Sequence, residues 1–197
     1  MTKGDVTRKR ILLQAAQLFN QQGYAASSIS DVMDATGLQK GGIYNHFGNK
    51  QELELAAFDT AFGLASQCFI KAVEGKVSAR EQLLAVVEVF RDFTNDRPLP
   101  GGCPLLNTAI ESDDTNLALL QRTRKGMDKW RGLIASIVRR GVATGEFRAD
   151  VDAQSVATVL IATLEGAVML SRLYSDPVHM ERVVEHLTET IEHRLQK

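Results

Sequence analysis

Cysteine is nearly missing: Cys68 and Cys103 are the only two in 197 residues. Two thiols cannot staple a disulfide framework, which points to a reducing compartment. Proline is also scarce, with four residues, and three of them stand where helices begin or break. No run alternates apolar and polar residues for long enough to read as a strand. The opening MTKGDVTRKR is charged and has no apolar centre, which argues against a signal peptide. The most apolar stretch, VATVLIATLEGAVML, is interrupted by Thr158, Thr163 and Glu165. It falls short of the roughly 18 apolar residues of a membrane span. There is no nucleophile elbow, no phosphate-binding glycine loop after a strand and no paired acidic motif. No catalytic residue and no cofactor is therefore assigned, and an enzyme is not expected. His179, His186 and His193 recur every seven residues, two helical turns apart and too distant to share a metal. The expectation is a soluble, cytoplasmic protein with no membrane partner and no metal.

What is present is a core and an uneven charge. Apolar residues make up 44% of the chain, enough for a packed interior. The formal net charge is only −1, yet residues 1–50 carry six basic against three acidic side chains, a net of +3, leaving −4 for the rest. A basic head on an acidic body suggests that the head alone meets a polyanion.

The periodicity is helical throughout, so the fold class is all-α. A first helix spans about Thr7 to Gln22, on Ile11, Leu12, Ala15, Ala16, Leu18 and Phe19, and Gly23 ends it. Ser28 to Asp31 reads as a capping box opening a short helix from Ile29 to about Ala35. Gly37 makes a turn, and a third short helix runs from about Gln39 to His46. Three helices in under 50 residues, the last two joined by a tight glycine turn, outline a helix-turn-helix unit. A fourth helix runs from about Lys50 to Val73, a fifth from 79 to 95, and NDRPLPGGCP follows as a loop. Pro104 occupies the first position of the next helix. A long helix covers about 115 to 144 and holds the single tryptophan, Trp130. The segment SVATVLIATLEGAVMLSRL is apolar almost all around and must be covered on more than one side. The last helix follows Asp176-Pro177 with a stripe of Val183, Val184, Leu187, Ile191 and Leu195. A second copy of the chain would cover both helices as a four-helix bundle, giving a homodimer. The expected division falls between 1–50, the helix-turn-helix head, and 51–197, the body that dimerises.

The stretch TGLQKGGIYNHFGNK carries the chemistry. Glycine costs a helix interior about 1 kcal/mol relative to alanine, and here two stand side by side. If this helix enters a major groove, Gly41 and Gly42 let its backbone approach closely. Lys40 and Tyr44 are then placed for phosphates, Asn45 and His46 for phosphates or base edges, and Gln39 for an adenine edge. Lys50 begins a helix facing the same backbone, and Ser28 and Thr36 carry hydroxyls able to bond phosphate. Each also has a structural use: Tyr44 in packing, His46 at a helix end, Ser28 as a cap, and Arg8, Lys9 and Arg10 as a solvated face.

Residues 8–54 resemble the DNA-binding head of TetR-family transcriptional regulators. The resemblance rests on Ile11, Ala15, Phe19, Gly23-Tyr24, Ser28-Ile29, Val32, Ala35-Thr36-Gly37, Lys40 through Phe47 and Lys50 through Leu53. Gly42 departs from it, standing where the family usually has a small hydroxyl residue. The resemblance implies a dimeric, ligand-responsive repressor of about nine helices that binds a palindromic double-stranded DNA operator. It implies a dimer built by the last two helices, and a small-molecule effector in the body that shifts the fourth helix and releases DNA.

Candidate walls for the effector pocket are Phe62, Phe69, Phe90, Phe93, Trp130, Ile134, Leu164 and Met169, all of them also ordinary core types. Cys103 stands at a predicted helix start, where a thiolate is stabilised, so a redox- or electrophile-sensing repressor is an alternative. A helical protein-binding adaptor is a further alternative, distinguished by weak salt dependence and no operator preference.

Overall fold

The computed structural model describes residues 2–113 and 116–196. Among these, nine α-helices follow one another: α1 Lys3–Gln22, α2 Ile29–Thr36, α3 Lys40–Tyr44, α4 Lys50–Val73, α5 Ala79–Thr94, α6 Pro104–Ser112, α7 Leu117–Ala143, α8 Ala153–Tyr174 and α9 Val178–Glu189. A π-helical turn, Thr190–Arg194, follows α9. The one β feature among the described residues is an isolated antiparallel bridge between Phe147 and Gln196.

Local chemistry explains most of the boundaries. α1 begins at Lys3, four residues before the expected Thr7, because Thr2 and Asp5 form a capping box. Ser28 and Asp31 do the same for α2: the Asp31 N–H donates to Ser28 Oγ, and the Ser28 N–H donates to Asp31 Oδ2 at 2.6 Å. Gly37 closes α2 in the left-handed region at φ +68°, its N–H donating to the Met33 carbonyl. Asn49 caps α4, accepting from the Glu52 N–H at 2.8 Å, and α4 matches the expected bounds. α3 is shorter than expected, stopping at Tyr44. The expected start of the long helix near residue 115 lies outside the described residues.

The chain forms two compact units, Met1–Ala65 with Leu99–Gly126 and Ser66–Pro98 with Met127–Lys197, so the boundary runs through α4 and α7. In the first, Ile11, Ala15, Phe19, Val32, Ile43, Phe47, Leu53 and Phe58 are buried together with Tyr24 and Leu105. In the second, α5, α8 and α9 pack through Leu83, Val86, Phe90, Leu160, Leu164, Val168, Val184 and Leu187. Glu146 holds the start of α5, accepting from the Ala79 and Arg80 N–H groups at 2.8 Å each. Its charge also complements the positive end of that helix.

α4 and α8 are long and apolar enough, by length and composition, to cross a membrane. Here each buries part of its surface in a helical unit, and α8 carries the buried acid Glu165. The face of α8 away from α5 and α9 keeps Val159, Met169 and Leu173 exposed, at 56%, 46% and 67%.

Candidate nucleic-acid interface

α3 presents one buried and one open side. Ile43 and Phe47 are fully buried and anchor it, while Gln39, Lys40, Gly41, Tyr44 and Asn45 lie exposed. Gln39 precedes the helix in an extended conformation and makes no side-chain cap hydrogen bond to it. The Lys40 ammonium sits 5.8 Å from the centre of the Tyr44 ring. Opposite this face, the Arg8 guanidinium stacks on Phe47 at 4.8 Å, so Arg8 supports the head's core as well as its charge.

The glycine pair is not explained by the chain's own packing. A side chain added at Gly41 would meet no atom within 4 Å, and at Gly42 only Leu38, at an ordinary 3.6 Å. Neither has a positive φ. The fold would therefore accept alanine at both, and what the glycines provide is a bare stretch of backbone on the outer side.

The remaining expected contacts are more involved internally. Thr36 donates its hydroxyl to the Val32 carbonyl at 2.7 Å and is half-buried. The exposed Ser28 hydroxyl is shared with Asp31. His46 is half-buried, its Cε1 close to Gly4 at the start of α1. The Lys50 ammonium donates to the Tyr24 carbonyl and pairs with Glu54, both at 3.0 Å, so it ties α4 to the α1–α2 turn.

Sequence reasoning missed how α6 holds that turn. Both carboxylate oxygens of Glu111 accept backbone N–H groups, Oε2 from Tyr24 at 2.9 Å and Oε1 from Ala25 at 2.6 Å. Asn107 donates its side-chain amide to the Asn20 carbonyl, the Asn20 side chain and the Gly101 carbonyl, while Asn20 donates to the Pro100 and Gly102 carbonyls. The available signal was Asn20 itself, a polar residue directly after Phe19 on a buried stripe.

The expected pocket residues separate. Phe69, Phe90, Phe93 and Trp130 form one aromatic cluster, with Phe69 and Trp130 centroids 4.5 Å apart and Phe90 and Phe93 5.4 Å apart. The Trp130 indole donates to Ser66 Oγ at 3.1 Å. Ile134 lines the same cluster beside Val86 and Ile161, and the contact is so close that no water-sized space remains. Leu164 is buried in the same unit. Phe62 and Cys103 belong to the other unit, where Phe62 stacks on Phe58 at 6.2 Å. Cys103 sits at the N-cap of α6 as expected, but it is fully buried, closing its thiol to solvent. Met169 lies outside the aromatic cluster, on the exposed face of α8. Cys68, expected as packing, is half-buried and lines an open groove of about 930 Å³ between α4 and α5, with Lys71, Lys76, Glu81 and Asp92. Burial, then the Asp92 charge, pushes its thiol above the ordinary range. Among the described residues no group of three His, Cys, Asp or Glu could hold a metal ion.

Comparison with known proteins agrees with this geometry. Residues 11–57 match the family described as bacterial regulatory proteins, tetR family, and residues 79–187 match the tetracyclin repressor-like C-terminal domain. A crystal structure of a TetR transcriptional regulator from Chloroflexus aurantiacus is 47% identical over all of this chain and 99% of that one, with a TM-score of 0.96. A transcriptional regulator of Saccharomonospora viridis, solved in complex with choline, is 27% identical over 98% and 99% of the two chains, with a TM-score of 0.84. The HTH-type transcriptional regulator TtgR of Pseudomonas putida is 28% identical, covering 93% of this chain and 89% of its own. An exposed helix-turn-helix on an all-α body, matched in both parts, makes this chain a member of the TetR family of transcriptional regulators.

Proposed function

We propose that this chain is a ligand-responsive repressor that binds a palindromic operator as a homodimer and leaves it when a small molecule enters the body. In this reading residues 1–50 bind DNA, residues 51–197 bind the effector and dimerise, and the protein acts in the cytoplasm. The observation that carries it is the bare backbone of Gly41 and Gly42, flanked by exposed Gln39, Lys40, Tyr44 and Asn45. Lys40 and Tyr44 contact phosphate and fix register, while Gln39 and Asn45 reach base edges. Lys50 acts through the fold, holding the start of α4 to the head. The exposed apolar face of α8, with Val159, Met169 and Leu173, supports a dimer through α8 and α9. Met169 then belongs to that interface and not to the effector site.

The effector site is assigned to the cluster of Phe69, Phe90, Phe93 and Trp130, whose rings must part to admit a ligand. Aromatic faces attract cations, and a relative holds choline, so an organic cation is the first class to test. A ligand releases DNA only to the extent that it prefers the non-binding state. Selecting bound duplexes from a random pool should enrich a two-fold palindrome, and choline should then be titrated against the complex. Recovery of no palindrome would defeat the repressor reading. Lys40→Ala should weaken binding uniformly across sequences and lower the salt slope by about one.

A further inference from the structure

A small polar cavity lies inside the first unit, under the turn that follows α1. Its volume is about 90 Å³, and it is lined by Tyr24 and Ala25 of the turn, Glu54 of α4, Thr108, Glu111 and Ser112 of α6, and Asn116 and Leu119. This is room for a few waters or one small ion.

Two of its hydroxyls have no protein partner beyond each other. Tyr24 is 3% exposed and Thr108 fully buried; Tyr24 Oη and Thr108 Oγ1 are close enough to interact but out of good hydrogen-bond geometry, and neither bonds any other protein group. Buried hydroxyls left without a well-formed hydrogen bond are costly, so this pair calls for a bound group. The other lining groups are mostly acceptors. Glu54 is 7% exposed and uses Oε1 on Lys50 at 3.0 Å. Glu111 accepts from the Tyr24 and Ala25 N–H groups. Ser112 donates to the Thr108 carbonyl, and the Asn116 side-chain Oδ1 accepts from the Leu119 N–H. Burial foremost pushes the Tyr24 phenol well up, opposed by its interaction with the Thr108 hydroxyl, and the Glu111 and then the Glu54 charge add to the rise. The phenol is therefore neutral at physiological pH, and its oxygen lies in the field of both carboxylates.

We propose that this cavity binds an ammonium group, either the free ion or the end of a primary amine, held by Tyr24 Oη, Thr108 Oγ1 and the Glu54 carboxylate. An ammonium carries only donors, the complement of a wall built mainly of acceptors. Acetate or phosphate would bring a like charge against two carboxylates. The bound group bridges the α1–α2 turn, α4 and α6, so its occupancy stiffens the support of the DNA-binding head. The site is separate from the aromatic cluster and does not depend on the effector assignment.

Thermal unfolding of the full chain tests this with chloride salts of sodium, ammonium, methylammonium, n-butylammonium and choline at matched ionic strength. Methylammonium or ammonium should raise the melting temperature saturably above sodium, by roughly 3 °C at concentrations well above Kd. The rise should vanish in Tyr24→Phe/Thr108→Val, which removes both hydroxyls at nearly constant shape. A rise confined to ammonium identifies the free ion as ligand, and one shared with n-butylammonium identifies an amine end with its chain leaving the cavity. No difference from sodium, or an equal rise in the double variant, overturns the proposal. So does a choline rise of the same size that the double variant loses, because a trimethylammonium head has no N–H to donate. Should the double variant fail to fold, a crystal structure of the wild type in methylammonium decides: density for a two-atom group against Tyr24 and Thr108 supports the site, and density for water alone overturns it.

Discussion

Gly41 and Gly42 separate what folding needs from what binding needs. A methyl group at Gly41 meets nothing within 4 Å, so Gly41→Ala should hold or raise the melting temperature, by up to about 1 kcal/mol of helix propensity. The same variant should weaken operator binding by about tenfold or more, which corresponds to losing ~1.4 kcal/mol of close contact. Equal affinity of variant and wild type in a fluorescence anisotropy titration would refute close backbone approach. At Asp31 the prediction concerns pH. The Ser28 N–H, then its hydroxyl, holds this carboxyl below its ordinary 3.8. A folded-state value below the unfolded one means the cap stabilises α2 above the ordinary carboxylate range and is lost as pH falls through the lowered value. The Ser28 amide resonance should therefore shift with acid in wild type, and that titration should disappear in Asp31→Asn.

At the scale of elements, α6 acts as the brace of the DNA-binding head. Glu111 takes two backbone N–H groups of the turn after α1, and Asn107 engages Asn20 from the same helix. Glu111→Ala should expose those donors, so the Tyr24 and Ala25 amides should exchange with solvent at least about tenfold faster. Unchanged protection would show that the turn is held by other groups. Gly101 is the tightest point of the loop beside this brace. It has φ +102°, and a side chain there would stand 2.5 Å from the Asn20 carbonyl oxygen, which is backbone and cannot yield. Gly101→Ala should cost about 1–3 kcal/mol, seen as a lower melting temperature. Most elements were legible in the sequence because caps and periodicity are local: Ser28, Gly37, Pro104 and Pro177 stand at the helix ends where the chain turns. α1 was extended by Thr2 and Asp5, whose spacing matches a capping box but precedes any apolar residue of the stripe.

For the whole molecule, the proposed dimer rests on the exposed apolar face of α8. Val159→Glu places a charge in the proposed interface and should give monomers by analytical ultracentrifugation. Operator affinity should fall more than tenfold, because two half-sites are then no longer bound by one linked pair of heads. A dimer that persists in this variant would move the interface away from this face. The sequence pattern asked for cover on more than one side of α8; within the chain α5 and α9 supply one side, and Val159, Met169 and Leu173 stay exposed on another.

The helices, their order, the glycine turn and the polar composition of α3 follow from the sequence alone, because each depends on residues within a few positions of one another. Which side of α3 faces outward is also readable, from Ile43 and Phe47 one turn apart. Only the tertiary structure could show that Lys50 is engaged by Glu54 and the Tyr24 carbonyl, that Cys103 is buried, and that the aromatic residues divide between two units. It alone brings Tyr24, Glu54 and Thr108 to one cavity, since these lie far apart in the chain and their meeting depends on how the helices pack. Local signals fix where helices start and stop, but packing decides which polar groups are left to bind something else.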